Sequence, residues 1–201
     1  WEFMTVSESI LDSIVSNSDY LKKIKERYDS RELDTQEYKL SRKTAFLAMG
    51  SVNACFQRMT QEPESKRKYF SEIYDIIVLT NTFLSSLASL GTFIRKHELY
   101  QHTDKFDVII DNILVNLTNA KQILIGEKIH KKLVKQDVID AKETFEKRFE
   151  KLNDKYDEIV LSEDNQSLIT EVSLKIRQTH VILEQLSYLF SLSENLIQKI
   201  G

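Results

Sequence analysis

Apolar residues recur at steps of three and four along nearly the whole chain, and no stretch reads as a strand. Val6, Ile10, Ile14, Leu21, Ile24 and Tyr28 share one stripe, with Asn17 on the same line, which is the face of a helix ending near Tyr28. The polar run Asp29 to Glu32 follows, and Asp34 with Glu37 three residues later is a capping box that opens a second helix. That helix carries Tyr38, Phe46, Met49, Val52, Phe56 and Met59 and persists until Pro63, which suits a first turn and not a helix interior. Gly50 lies in its middle, where it costs roughly 1 kcal/mol against Ala. We therefore expect a close helix crossing at Gly50.

A third helix is expected from about Glu64 to His97. Its run from Ile76 to Ile94 carries no charge, and by length alone it qualifies as a membrane span. Thr80, Asn81, Thr82, Ser85, Ser86, Ser89, Gly91 and Thr92 interrupt that run, so the expectation is a buried helix at the centre of a bundle, apolar or small on all sides. Asn81 then needs a partner or a place at a boundary. Thr103 caps a fourth helix with Phe106, Ile109, Ile110, Ile113, Leu117, Ala120 and Leu124 on one face, and Gly126 stops it.

The fifth helix, about Asp137 to Ile159, has a narrow seam of Val138, Ala141, Phe145, Phe149, Leu152, Tyr156 and Ile159, wide enough for one partner helix. The sixth, about Asp164 to Ile200, answers with Leu168, Val172, Ile176, Thr179 and Leu183, then broadens through Ile182, Leu186, Leu189, Phe190, Leu192, Leu196 and Ile197. The resulting expectation is an all-α fold: one domain over residues 1–201, a bundle of about six helices, several long, with a hairpin formed by the last two.

Composition sharpens this picture. Four Gly and one Pro in 201 residues leave few helix breakers. A net charge of -3, from 28 basic and 31 acidic residues, gives no field that attracts nucleic acid. The single cysteine, Cys55, excludes an internal disulfide, and its apolar setting reads as a small hydrophobe. The sequons at Asn116 and Asn165 carry no weight.

Candidate chemistry is sparse. Glu127 and His130 have the Glu-x-x-His spacing of a di-metal bundle, but no second copy exists. His97, His102 and His180 have no ligand spacing, and no phosphate loop or nucleophile elbow occurs. We expect no enzyme, no cofactor and no metal site. Gln57, Arg58, Glu62, Ser65 and Lys66 cluster about the Pro63 corner, with Arg42 and Lys43 one helix length away. These side chains either cap helix ends and pair with each other or bind a small anion or a neighbouring domain. Lys121, Lys128, Lys131, Lys132 and Lys135 face one acid, Glu127. They read as a solvated connector or as a contact with anionic lipid headgroups.

The wording RKTAFLAMG, then NACFQRMTQEPESK, then YDIIVLTNTFLSSLASLGTFI, spanning Arg42 to Ile94, resembles the cytosolic domain of the fusaric acid resistance (FUSC) family, the YccS/YhfK-like bacterial inner-membrane proteins. The resemblance supplies no catalytic residues. It implies a soluble domain on the cytoplasmic face of the membrane, a transmembrane block of the same polypeptide preceding Trp1, and an association with efflux of aromatic carboxylic acids and similar toxic compounds. Trp1 would then lie just outside the last span, where indole rings favour the headgroup interface. A second copy of the domain is a further possible partner, and a free-standing helical interaction module is the rival reading.

Overall fold

A computed structural model describes residues 2–29, 35–64, 67, 69–97, 104–129, 135–161 and 166–201. Six helices account for nearly all of them: α1 (Glu2–Asp29), α2 (Thr35–Thr60), α3 (Phe70–Lys96), α4 (Asp104–Leu124), α5 (Lys135–Leu161) and α6 (Gln166–Ile200). There is no strand among the described residues. The caps expected at Asp34 and Thr103, and the histidines His102 and His130, lie outside them.

Four helices, α1, α3, α6 and α4, form a ring in which each touches the next. α2 packs mainly on α1 and lightly on α3, and α5 packs on α4 and α6. The two outer helices thus sit on opposite edges of the four-helix ring. Side-chain pairs fix the directions. α2 runs antiparallel to α1, since Ser9 meets Cys55 and Tyr20 meets Tyr38. α4 also opposes α1, since Lys25 pairs with Asp111 at 2.7 Å and Tyr28 stacks on Phe106 at 3.6 Å. Lys199 reaches Asp75 at 2.6 Å, which sets α6 antiparallel to α3.

The α1 stripe is buried as its spacing predicts: Val6, Ile10, Ile14, Leu21 and Ile24 face the core together with Ser13 and Asn17. Phe106, Ile109, Ile110, Ile113, Leu117 and Ala120 do the same on α4. Burying each large side chain contributes about 1.5–3 kcal/mol. One buried polar link crosses the ring, where Asn116 Nδ2 donates to Ser193 Oγ at 2.8 Å and that hydroxyl donates to the Phe190 carbonyl. α4 ends as Gly126 predicts. Gly126 takes φ 74, its N–H donates to Ile123, and the Glu127 N–H donates to Gln122 at 2.8 Å, the paired bonds of a left-handed helix stop.

Four expectations need correction. Gly50 is exposed, and a Cβ added there meets nothing within 4 Å. No crossing occurs at Gly50 within the chain, because α1 packs on the opposite side of α2, against Ala45, Met49, Val52 and Cys55. The close approach falls instead at Gly91, where a Cβ would come within 2.5 Å of the Tyr38 hydroxyl and 2.9 Å of the Tyr20 hydroxyl. Phe46 lies one residue beyond the buried face and is exposed, with Ala45 taking the inward position. α3 starts at Phe70, six residues later than expected, because a separate turn forms after Pro63.

The fourth correction concerns the surroundings of α3. By length and composition it could cross a membrane, yet it is neither fully buried nor central: 44% of its most apolar 18-residue window is buried. Ile73, Ile77, Thr80, Phe83, Leu84, Leu87 and Leu90 face inward, while Tyr74, Val78, Asn81, Ser85 and Ser89 face outward. Asn81 therefore lies at a boundary, and Thr80 and Ser85 return their hydroxyl protons to carbonyls one turn back.

Candidate functional site

The candidate residues divide between the two ends of α2. Arg42 and Arg58 are sixteen positions apart on a continuous helix, a separation of about 24 Å. They cannot contact one small ligand together, so the expectation that Arg42 and Lys43 join the corner is overturned by the straightness of α2.

At the C-terminal end, short turns close the helix. The Gln61 N–H donates to the Arg58 carbonyl at 3.0 Å and the Glu62 N–H to the Met59 carbonyl at 3.2 Å, satisfying carbonyls that the helix end leaves open. Arg67 then ties the corner, with its Nε donating to the Glu62 carbonyl at 2.6 Å and its guanidinium 5.8 Å from the Phe70 ring. The chain reverses at Tyr69, whose φ of 55 is uncommon for a residue with a side chain. Arg58 donates from Nη2 to Cys55 Sγ at 3.0 Å, and Ser9 Oγ lies 3.2 Å from the same sulfur. Cys55 is buried. Gln57 is exposed, and its carbonyl accepts the Thr60 hydroxyl at 2.6 Å. Lys66 lies outside the described residues, as does Ser65. The corner is therefore self-capped.

At the N-terminal end the structure brings Arg42 to a group that spacing along the chain does not connect. Its guanidinium lies 5.6 Å from the Phe46 ring. It also lines an open groove of about 470 Å³ between α2 and the end of α3, with Ser89, Thr92, Lys96 and His97. Lys43 is exposed beside it. Arg95 and Lys96 occupy the last turn of α3, where cations interact favourably with the helix dipole. His97 ends that helix, stacked on Phe93 with ring centroids 4.3 Å apart. This basic rim can accept an anionic group.

Beneath the rim lies a buried pair that the periodicity does not reveal. The Tyr20 and Tyr38 hydroxyls meet at 3.1 Å over Gly91. Burial, reinforced by the hydrogen bond and the proximity of Tyr38, raises the Tyr20 phenol above its ordinary value, while Arg42 and Arg95 pull it the other way. Gly91 was visible in the sequence only as one more small residue in an uncharged run. Nearby, Lys23 bridges Glu26 at 2.8 Å and Glu37 at 2.7 Å, and these bonds hold its ammonium above the ordinary lysine value.

Among the basic connector residues, Lys128 is exposed and Lys135 pairs with Glu194 at 3.0 Å, while Lys131 and Lys132 lie outside the described residues. No group of three or more His, Cys, Asp or Glu that could hold a metal occurs among the described residues. No family model, no curated protein and no solved structure matches this chain.

Proposed function

We propose that this chain is a non-catalytic accessory domain, acting in assembly or regulation, on the cytoplasmic face of a FUSC-type inner-membrane protein. The observation that carries the reading is the wording of Arg42 to Ile94, with the place of that segment in the fold as support. It runs along α2, the corner and α3, which lie side by side on one flank. Between Lys43 and Arg58 on α2, and between Asp75 and Arg95 on α3, the exposed positions carry no charge. An assembly role calls for such a surface; an enzyme would need a convergent set of acids, bases or nucleophiles. On this reading the transmembrane block belongs to the same polypeptide, and the exposed Lys128 lies within reach of anionic headgroups.

The test is the reading frame upstream of Trp1, followed by fractionation of the whole gene product. Several hydrophobic spans and release from membranes only by detergent are expected. A frame with no such spans and a product that stays in the supernatant would leave the free-standing interaction module as the function.

A further inference from the structure

The groove between α2 and the end of α3 holds more polar valence than the fold itself uses. Earlier on α3, Thr80, Thr82 and Ser85 return their hydroxyl protons to carbonyls one turn back. Ser89 and Thr92, which line the groove, make no such bond and have no other partner among the described residues. Arg42 on one wall and Lys96 on the other form no ion pair among the described residues either. Arg42 is half-buried, and an aromatic face, the Phe46 ring 5.6 Å away, stands where a carboxylate would otherwise replace its lost hydration. His97 Nδ1 donates to the Phe93 carbonyl at 3.0 Å, which fixes the ring at the groove and leaves Nε2 uncommitted.

The charges around the groove identify the class of ligand. No Asp or Glu among the described residues lines it. Along the sequence the nearest acids are Glu37, which is bound to Lys23 at 2.7 Å, and Glu98, which lies outside the described residues. Lys39 and Lys43 flank Arg42 and Arg95 precedes Lys96, none of them paired with an acid among the described residues. The net charge of -3 keeps this basic character local, so it suits a small group and not a nucleic-acid backbone. A carboxylate brings one charge and two oxygens; a phosphate monoester brings nearly two charges on three strong acceptor oxygens, which two unpaired cations and two free hydroxyls can satisfy together. We propose that this groove binds a phosphate monoester group, with Arg42 and Lys96 on its charged oxygens and the Ser89 and Thr92 hydroxyls donating to it.

Occupancy has a consequence for the fold. α2 packs only lightly on α3, and a phosphate held by Arg42 on the first and by Thr92 and Lys96 on the second ties the two helices together. A ligand that binds only the folded arrangement stabilises it, so amides in the N-terminal half of α2 should exchange more slowly when phosphate is bound. Soluble phosphate monoesters and the phosphatidic acid headgroup present the same chemistry, and the groove is open enough to admit either. The inference stands on the side chains of the groove and does not depend on membrane attachment.

Nuclear magnetic resonance titration of the isotope-labelled 201-residue chain with inorganic phosphate, at an ionic strength held constant with chloride, tests it. Saturable shifts of the Arg42, Ser89, Thr92 and Lys96 amides are expected. Arg42→Gln and Lys96→Gln should each weaken binding about tenfold with an unchanged helical spectrum, since neither residue belongs to the core. Thr92→Val should weaken it less, and Lys128→Gln, beyond the far end of α4, should leave the shifts as they are. Co-sedimentation with phosphatidylcholine vesicles containing phosphatidic acid separates the two sources. Pelleting that is lost in Arg42→Gln assigns the site to a lipid headgroup, and saturable phosphate binding without pelleting assigns it to a soluble monoester. Shifts that never saturate together with no pelleting overturn the proposal, as does binding that survives both Arg42→Gln and Lys96→Gln.

Discussion

At the scale of single residues, the two mid-helix glycines separate what spacing reveals from what packing decides. Gly50 and Gly91 look equivalent in the sequence, and their surroundings are opposite. Gly91→Ala pushes a methyl group against the Tyr38 and Tyr20 hydroxyls and should destabilise the fold by about 1–3 kcal/mol, read from urea unfolding. Tyr38→Phe in that background removes the nearer oxygen and should recover part of the loss. Gly50→Ala, with nothing within 4 Å of the added methyl, should instead stabilise by roughly 0.5–1 kcal/mol. Equal effects at the two positions would contradict this packing.

Tyr20 makes a second prediction at the same scale. Its phenol is raised by burial, so it stays protonated in the folded chain at a pH where the unfolded chain has lost that proton. The unfolded state then binds fewer protons, and stability must fall as pH rises above about 10. Tyr20→Phe should start less stable, having lost the bond to Tyr38, and should show a shallower alkaline decline. The same slope in both proteins would place the titrating group elsewhere.

At the scale of elements, the α5–α6 hairpin is held unevenly. Val138, Ala141 and Phe145 are buried on α5 and nothing described beyond them is, while Phe149, Leu152, Tyr156 and Ile159 are half-buried. On α6, Val172 is the one buried residue before Gln178, and then Ile182, Leu186, Leu189, Phe190, Leu192 and Leu196 enter the core. Local stability follows buried apolar contact, so amides from Leu152 to Ile176 should exchange earlier than those from Leu183 to Leu196. Equal protection in both halves of α6 would mean that something covers the tip. Acid should widen the contrast. Lys175 holds the Glu171 carboxyl below its ordinary value, so the pair supports this half of α6 above the carboxylate range and is lost as pH falls through it. Both helices and the narrowing of their seam were legible from spacing, because a helix paired with one neighbour needs only one apolar line. The late start of α3 was not, because the Arg67 bond and the reversal at Tyr69 are local geometry with no periodic signal.

At the scale of the whole molecule, a folded monomer of this mass exposes about 9,800 Å², whereas this chain exposes 11876 Å². Exposed large apolar side chains on α2 and α3, Leu40, Phe46, Leu47, Tyr74 and Val78, form part of that area. The uncharged run of α3 nevertheless has Ile76, Ile77, Phe83, Leu84, Leu87, Leu90 and Ile94 inside and Asn81, Ser85 and Ser89 outside. The chain should accordingly stay in solution and strongly helical without detergent, as circular dichroism and sedimentation would register. Precipitation relieved only by detergent would assign the run to lipid.

The sequence by itself determined that the chain is helical, where most helices begin and end, and most of the inward-facing residues of α1, α4 and α6, Tyr20 excepted. These properties are local, set by a 3.6-residue period, a few breakers and the demand that apolar stripes be buried. The tertiary structure alone decided which helices form the ring, which glycine is crowded, and that Arg42 lines one groove with Lys96 and His97 while lying about 24 Å from Arg58. Those facts depend on which neighbour each face receives, and in a bundle of similar amphipathic helices many pairings satisfy the same periodic pattern.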